Sequence, residues 1–258
     1  MSDRSLYGLP GGQRWCEDAR VMQLPLFPLH TVLFPHLPLP LHVFEERYRA
    51  MATDVMADGS PYGGRFVVSM ITAGSEVGGD AAIRSIGTIC EVRSAERFPD
   101  GRWMLIGVGL ARARLGRVDR SGPYALVEAE ELHESAGTDA AALLPEVQGA
   151  LDAYLATVKR FVARTASGGD ASQEQPDVTA SLDEVLKPIQ LPDDPVAASY
   201  AVGGVLQIEL ARKQQLLELP DAARRLRAEL EVLRREASFL DDGAMPPVPA
   251  GDLGYHPN

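Results

Sequence analysis

Three histidines, His30, His36 and His42, stand six residues apart near the start of the chain, and Glu45, Glu46, Arg47 and Arg49 follow them directly. Imidazoles and carboxylates in one stretch are the raw material of metal binding and of proton transfer. Metal ligands usually come with Cys, Asp or Glu at short fixed spacing, whereas these histidines are interleaved with proline and leucine. They read as turn or surface residues. The Glu45–Glu46 pair opens a helical pattern, where carboxylates favour the positive end of the helix dipole, so a structural ion pair is the better reading than acid–base chemistry. Nucleophilic chemistry is equally short of parts. Cys16 and Cys90 are the only cysteines, and Lys159, Lys187 and Lys213 the only lysines. No Gly-x-x-x-x-Gly-Lys-Ser/Thr loop is present to cradle phosphates. The residues nominate no catalytic group, no metal and no cofactor, and the expectation is a protein that is not an enzyme.

Composition narrows the partners. The net charge is −11, carried mostly by the half of the chain after residue 133. A nucleic-acid-binding face is normally basic, because phosphate neutralisation supplies most of that affinity, so nucleic acid is an unfavoured partner. Two distant cysteines make neither a disulfide framework nor a zinc pattern. The N-terminus shows no basic region followed by an apolar stretch, and no apolar run approaches the ~20 residues that span a bilayer. A cytoplasmic protein is expected, with no membrane partner.

The elements that would position any site follow from periodicity. Residues 1–21 show none and read as a flexible extension; Met22 follows as a candidate start. From 22 to 135 the pattern is mostly strand. Leu24-Pro-Leu-Phe-Pro-Leu-His-Thr-Val-Leu-Phe-Pro35 and Leu39-Pro-Leu-His-Val-Phe44 alternate proline with large apolar residues, which suits edge segments and crossings between sheets. Phe44, Tyr48, Met51 and Val55 are spaced as one buried helical face ending at Asp58-Gly59. Short strands follow over Arg65–Ile71, Gly87–Arg93, Ala111–Leu115 and Ala125–Ala129. Phe98-Pro-Asp-Gly101-Arg-Trp103 carries a hairpin signal. From 140 to 237 the period is helical. Val147, Leu151, Tyr154, Val158 and Phe161 form one stripe, with Pro145 in the first turn. Residues 165–180 read as a solvated linker. Asp194-Pro195 is a helix start, and Gly203-Gly204 either weakens that helix or admits a close helix crossing. A last helix begins near Pro220 and buries Leu226, Leu230 and Leu233. The tail over 238–258 reads as disordered. The fold class expected is α+β, a compact β-barrel or sandwich with one helix followed by a helical bundle.

The proline-rich opening followed by Phe44-Glu-Glu-Arg-Tyr48 closely resembles the start of the substrate-binding domain at the N-terminus of Lon proteases. Gly87-Thr-Ile-Cys-Glu-Val92, Gly107-Val-Gly-Leu-Ala-Arg-Ala-Arg114, Tyr124-Ala-Leu-Val-Glu128 and Lys213-Gln-Gln-Leu-Leu-Glu218 are similar to later parts of that domain, in the same order. Leu110 stands where the family often has a basic residue. The resemblance runs over about 23 to 236 and implies a PUA-like β pseudo-barrel followed by helices. It also implies substrate contact and a part in assembly, as in Lon, or scaffolding, as in the related domain of cereblon. Cereblon's four-cysteine zinc site has no counterpart here, and the family offers no catalytic residue in this region.

The resemblance therefore implies a non-catalytic protein or peptide recognition module in protein quality control, an adaptor or client-binding protein. Its partners would be proteins or unfolded segments, with self-association through the helical part. Phe34 and Leu37, and Phe98, Trp103 and Met104 around the Asp-Gly turn, are the candidate partner-binding residues; the alternative for Trp103 is to plug the end of the barrel, and for Phe34 and Leu37 to pack beneath the helices. The alternative function is RNA binding by the barrel, with Arg112, Arg114 and Arg117 as phosphate contacts.

Overall fold

A computed structural model describes residues 21–74, 81–166 and 189–241. The strands are β1 (Val21–Leu29), β2 (Pro38–Val43), β3 (Arg65–Ala73), β4 (Ala82–Ile83), β5 (Ile86–Arg97), β6 (Trp103–Asp119) and β7 (Leu126–Glu131). The helices are α1 (Glu46–Met56), α2 (Ala140–Ala166), α3 (Pro195–Val205), α4 (Leu210–Glu218) and α5 (Ala222–Asp241). The α+β class expected from the sequence is the one found. The extension before residue 21, the linker between 167 and 180 and the tail after 241 lie outside the described residues. At the edges of those segments the helices run further than periodicity suggests: α2 reaches Ala166 and α5 passes Ser238 to end at Asp241.

β1 closes the sheet on itself. It pairs antiparallel with β7 through Leu24↔Val127 and parallel with β3 through Phe27↔Val68. The path β1-β7-β6-β5-β3 therefore returns to β1, with β2 added to β6 and β4 to β3. Leu24 and Leu26 of β1, Val67 of β3, Ile89 of β5, Ala113 of β6 and Val127 and Ala129 of β7 share the face that lines this circuit and form its core. Phe27 and Phe66 on the opposite face build an adjoining core with Leu41 and Leu105. α1 covers that adjoining core with Tyr48, Met51 and Val55. Phe44 departs from its periodic pattern: it precedes the helix and is 41% exposed. The β5–β6 hairpin turns at Asp100-Gly101, as its sequence predicts, with Gly101 at φ 84° and its carbonyl accepting from Arg49 Nε of α1 at 2.8 Å. A side chain there would be strained by backbone and neighbour alike.

The helices pack a second core from Val147, Leu151 and Tyr154 of α2, Tyr200 and Val202 of α3, and Leu226, Leu230 and Leu233 of α5. Asp194 caps α3 by accepting from the amides of Val196 and Ala197, behind Pro195 at its first position. Pro145 lies inside α2 rather than in its first turn, because the helix begins earlier, at Ala140. Gly203 and Gly204 do make a close approach, but to the β1–β2 loop and not to a helix. A Cβ on Gly203 would stand 2.8 Å from the Phe34 ring.

One buried arginine joins the barrel to the helices and a second ties the helices to one another. Arg112 of β6, 2% exposed, donates to both carboxylate oxygens of Glu134 at 2.6 and 3.1 Å and to the carbonyls of Leu217 and Leu219 at 2.8 and 2.6 Å. Arg225 of α5 donates to the carbonyls of Leu216 and Leu219 and to Ser199 Oγ, and its guanidinium lies 4.2 Å from the centre of the Tyr200 ring. One turn on, Glu229 is fully buried and neither of its carboxyl oxygens has a hydrogen-bond partner. Burial pushes its carboxyl well above the usual range, and the Arg225 charge only partly opposes this.

Candidate functional site

The first half of β6, Trp103-Met-Leu-Ile-Gly-Val108, is apolar at every position. Such a run belongs to a strand covered on both faces, whereas a half-solvated strand alternates apolar with polar. Here only the inner face is covered. Leu105 points inward and is 1% exposed. Met104, Ile106 and Val108 point outward beside their β2 partners His42, Pro40 and Pro38. Ile106 is 44% exposed, and Phe44 continues the β2 row with its ring 6.1 Å from that of His42. Glu91, Ser94 and Glu96 of β5 border the patch through their pairing with β6. Met104 and Val108 are half-buried, and Ile106 and Phe44 are its exposed members.

The free edge of β2 is closed to strand addition by its own sequence. The amide of His36 donates to Gly109 and the amide of Gly109 donates to Leu37. With the register Leu39↔Gly107 and Leu41↔Leu105, the backbone groups of Leu39, Leu41 and Val43 turn toward β6. Those of Pro38, Pro40 and His42 turn outward. Two of the three outward positions are proline and offer no N–H, which blunts the edge as natural sheets commonly do. The same logic holds at β1. Leu26 donates its amide to Ala125, so alternation turns Pro28 to the side that β7 has left, with a carbonyl there and no amide.

Beside Pro28 a groove of about 720 Å³ opens between the start of α1 and the β6–β7 turn. Leu26, Pro28, Ala50, Pro123 and Ala125 supply apolar walls, and Glu45 and Arg47 stand at the rim. Arg47 holds Glu45 Oε2 at 3.1 Å and lies 4.3 Å from the centre of the Tyr48 ring. Glu45 Oε1 is buried and has no partner. Deeper in, Tyr124 donates to Asp54 Oδ2 at 2.7 Å, and burial together with its hydrogen bonds to Tyr62 and Asp54 raises the phenol above its ordinary value.

Of the five partner candidates read from the sequence, the structure places Met104 on the outward patch. Phe34 requires correction: it is 1% exposed in the helical core against Tyr200, so its side chain has no surface to offer. Leu37 is half-buried between the barrel and helical cores. Trp103 alternates with Met104 and turns inward, half-buried at the barrel end, with its indole N–H unpartnered and Arg97 5.6 Å from its ring. Phe98 sits in the turn, 6.0 Å from the Arg102 guanidinium. The two groups stand at opposite ends of β2, Leu37 beside Pro38 and Trp103 opposite Val43. Sequence reasoning passed over Phe44, Ile106 and Val108; the doubly apolar run of β6 draws attention to Ile106 and Val108 without telling which face is left uncovered. Arg112, read as a phosphate contact, is committed to Glu134 and backbone carbonyls, while Arg114 pairs with Glu130 at 3.6 Å.

Cys90 is buried behind β6, where burial pushes its thiol up to about 12. Among the described residues no group of three or more His, Cys, Asp or Glu could hold a metal ion, and no helix is long and apolar enough to cross a membrane.

The ATP-dependent protease La (LON) substrate-binding domain model matches residues 23–235. The Lon protease of Trichlorobacter lovleyi is 26% identical over 230 residues, covering 87% of this chain and 25% of that protein. The Lon protease of Escherichia coli K12 is 24% identical over 225 residues, covering 87% and 26%. The chain thus spans about a quarter of the length of these curated relatives. Among solved structures, the N-terminal domain of the Mycobacterium avium complex Lon protease matches with a TM-score of 0.56 at 21% identity, covering 83% of this chain and 98% of that one. A Lon N-terminal domain protein from Xanthomonas campestris matches at 0.52 and 23%, covering 81% and 98%. Both share the fold.

Proposed function

Since the chain belongs to the Lon substrate-binding domain family, we propose that it recognises exposed apolar segments of non-native proteins and performs no chemistry on them. It acts as an adaptor or client-binding protein in protein quality control. The observation that carries this reading is the first half of β6, apolar on both faces but covered on one, with Ile106 and Phe44 over 40% exposed. Apolar patches on a soluble fold mark partner surfaces. A flat patch beside a proline-blunted edge suits side-chain contact with extended chains better than backbone pairing.

The binding test uses fluorescence anisotropy with a labelled, permanently unfolded protein such as reduced and carboxymethylated lactalbumin. The wild-type chain binds it, and Ile106→Asp weakens binding by about tenfold or more, since a charge must then be desolvated at the contact. Equal affinity of wild type and Ile106→Asp, with the fold intact by circular dichroism, overturns the assignment of this face. The purified chain is also expected neither to hydrolyse ATP nor to degrade casein. Turnover that follows the protein through purification and mutation refutes the non-catalytic reading.

A further inference from the structure

The groove beside α1 has features that the apolar patch lacks. Glu45 Oε1 is a buried acceptor with no donor, although the other oxygen of the same carboxylate holds Arg47. A buried polar atom without a partner is uncommon in native proteins and asks for a reason. It stands at the N-terminus of α1, where Glu45 makes no side-chain cap hydrogen bond. Pro28 adds a second acceptor on the same side, its carbonyl turned to the space that β7 has vacated, with no amide beside it. The groove's volume of about 720 Å³ is within the ordinary range of ligand sites, roughly 300–1,000 Å³.

We propose that this groove receives a lysine or arginine side chain of the bound protein segment, with Glu45 as the acceptor that selects it. The inference rests on the client-recognition reading above and supplies its specificity. Three features set the occupant's chemistry. Glu45 Oε1 is a carboxylate oxygen without a donor, so the ligand must donate. The walls formed by Leu26, Pro28, Ala50, Pro123 and Ala125 are apolar, so the donor must arrive on an apolar stem. Lysine and arginine combine a methylene stem with a donating, charged head. The rim arginines already hold acceptors, Arg47 that of Glu45 and Arg120 the carbonyl of Ala81, which disfavours an anionic ligand. Placement agrees with chemistry. The outward row Pro38–Pro40–His42–Phe44 ends one residue before Glu45, which joins the patch and the groove through consecutive residues.

The experiment uses short fluorescein-labelled peptides that share one apolar run and carry lysine, norleucine or glutamate at a scanned position beyond it. They are titrated with wild type, Glu45→Gln and Ile106→Asp. Norleucine keeps the stem and removes the donor; glutamine keeps the shape and removes the charge. The lysine peptide is expected to bind wild type about tenfold more tightly than the norleucine peptide, as suits one charge-assisted hydrogen bond. Glu45→Gln removes that preference and leaves norleucine binding unchanged, while Ile106→Asp weakens all peptides alike. Equal binding of lysine and norleucine peptides by wild type, or a lysine preference that survives Glu45→Gln, overturns the groove assignment and leaves client recognition standing. Binding of none of the peptides by wild type overturns both.

Discussion

Replacing Arg112 by alanine removes the bolt between the barrel and the helices, and the structure sets the size of the loss. The guanidinium is 2% exposed and serves both oxygens of Glu134 and the carbonyls of Leu217 and Leu219. Removing one partner of a buried ion pair costs about 3–5 kcal/mol, because the other charge stays behind uncompensated. Glu134 retains 23% exposure, so water recovers part of that. Leu219 also keeps a donor, Arg225 at 3.1 Å. Leu217, in the last turn of α4, has no other donor among the hydrogen bonds described and becomes a buried orphan, worth about 1–3 kcal/mol. Together these place Arg112→Ala at about 3–5 kcal/mol of destabilisation, a large share of the ~5–15 kcal/mol that holds a typical domain. Arg112→Lys keeps the charge but lacks the planar fork that reaches Glu134 and two carbonyls at once, and falls between, near 2 kcal/mol. Urea unfolding read by circular dichroism measures both, and a double-mutant cycle with Glu134→Ala isolates the pair. A loss under about 1 kcal/mol for Arg112→Ala, or no coupling to Glu134, refutes the reasoning, since surface ion pairs are worth only that much.

Gly203→Ala forces a methyl against the Phe34 ring at 2.8 Å, and overpacking of this kind costs about 1–3 kcal/mol; the double variant with Phe34→Leu recovers part of it in the same urea assay. Glu229 keeps in the native state a proton that the unfolded chain releases once pH exceeds the ordinary 4.5. Its contribution to stability is therefore fully present below that value and is lost as pH rises toward the raised native pKa. Glu229→Gln cannot titrate, so between about pH 5 and pH 8 its urea midpoint falls less than that of wild type; parallel slopes contradict the assignment. Cys90, with its thiol pushed up to about 12 by burial, is protonated and enclosed. In a Cys16→Ser background it is expected to resist a thiol reagent until denaturant is added; rapid labelling of the native protein contradicts its placement.

The parts of this fold that were legible in the sequence are those decided within a few residues. The Asp194-Pro195 helix start, the Asp100-Gly101 hairpin and the stripe of Val147, Leu151 and Tyr154 each depend on local backbone preference or a single period. What was not legible depends on partners far along the chain. Arg112 looked like a surface cation alternating with Ala111 and Ala113, because the carbonyls that bury it lie 105 and 107 residues away. Phe34 looked available beside Pro35, because the space that receives it is made by a missing side chain at Gly203. Phe44 matched the helical period of Tyr48 and Met51 although the helix begins after it. Ile106 was hidden for a different reason: in a strand apolar on both faces, sequence cannot say which face lacks a cover.

The same prolines that announce the opening of the chain also decide how it can be read by a partner. A strand that turns Pro38 and Pro40 toward its free edge offers acceptors without donors at those positions and keeps only the His42 amide, so another strand cannot continue the ladder along it. On the proposed reading, recognition is thereby pushed off the edges and onto side chains, the outward row of β6 and the groove at Glu45. Backbone pairing binds almost any extended chain, including a second copy of the same protein, and so invites aggregation. Side-chain contact with an apolar patch is permissive toward sequence but does not propagate. Under the proposed recognition of unfolded clients, that difference separates holding a chain from polymerising with it. Restoring the two amides tests the argument: Pro38→Thr with Pro40→Thr is expected to promote self-association at high concentration while leaving the patch intact. A doubly substituted chain that stays monomeric by light scattering would show that the edge was never the hazard, and that the prolines are there for the turn alone.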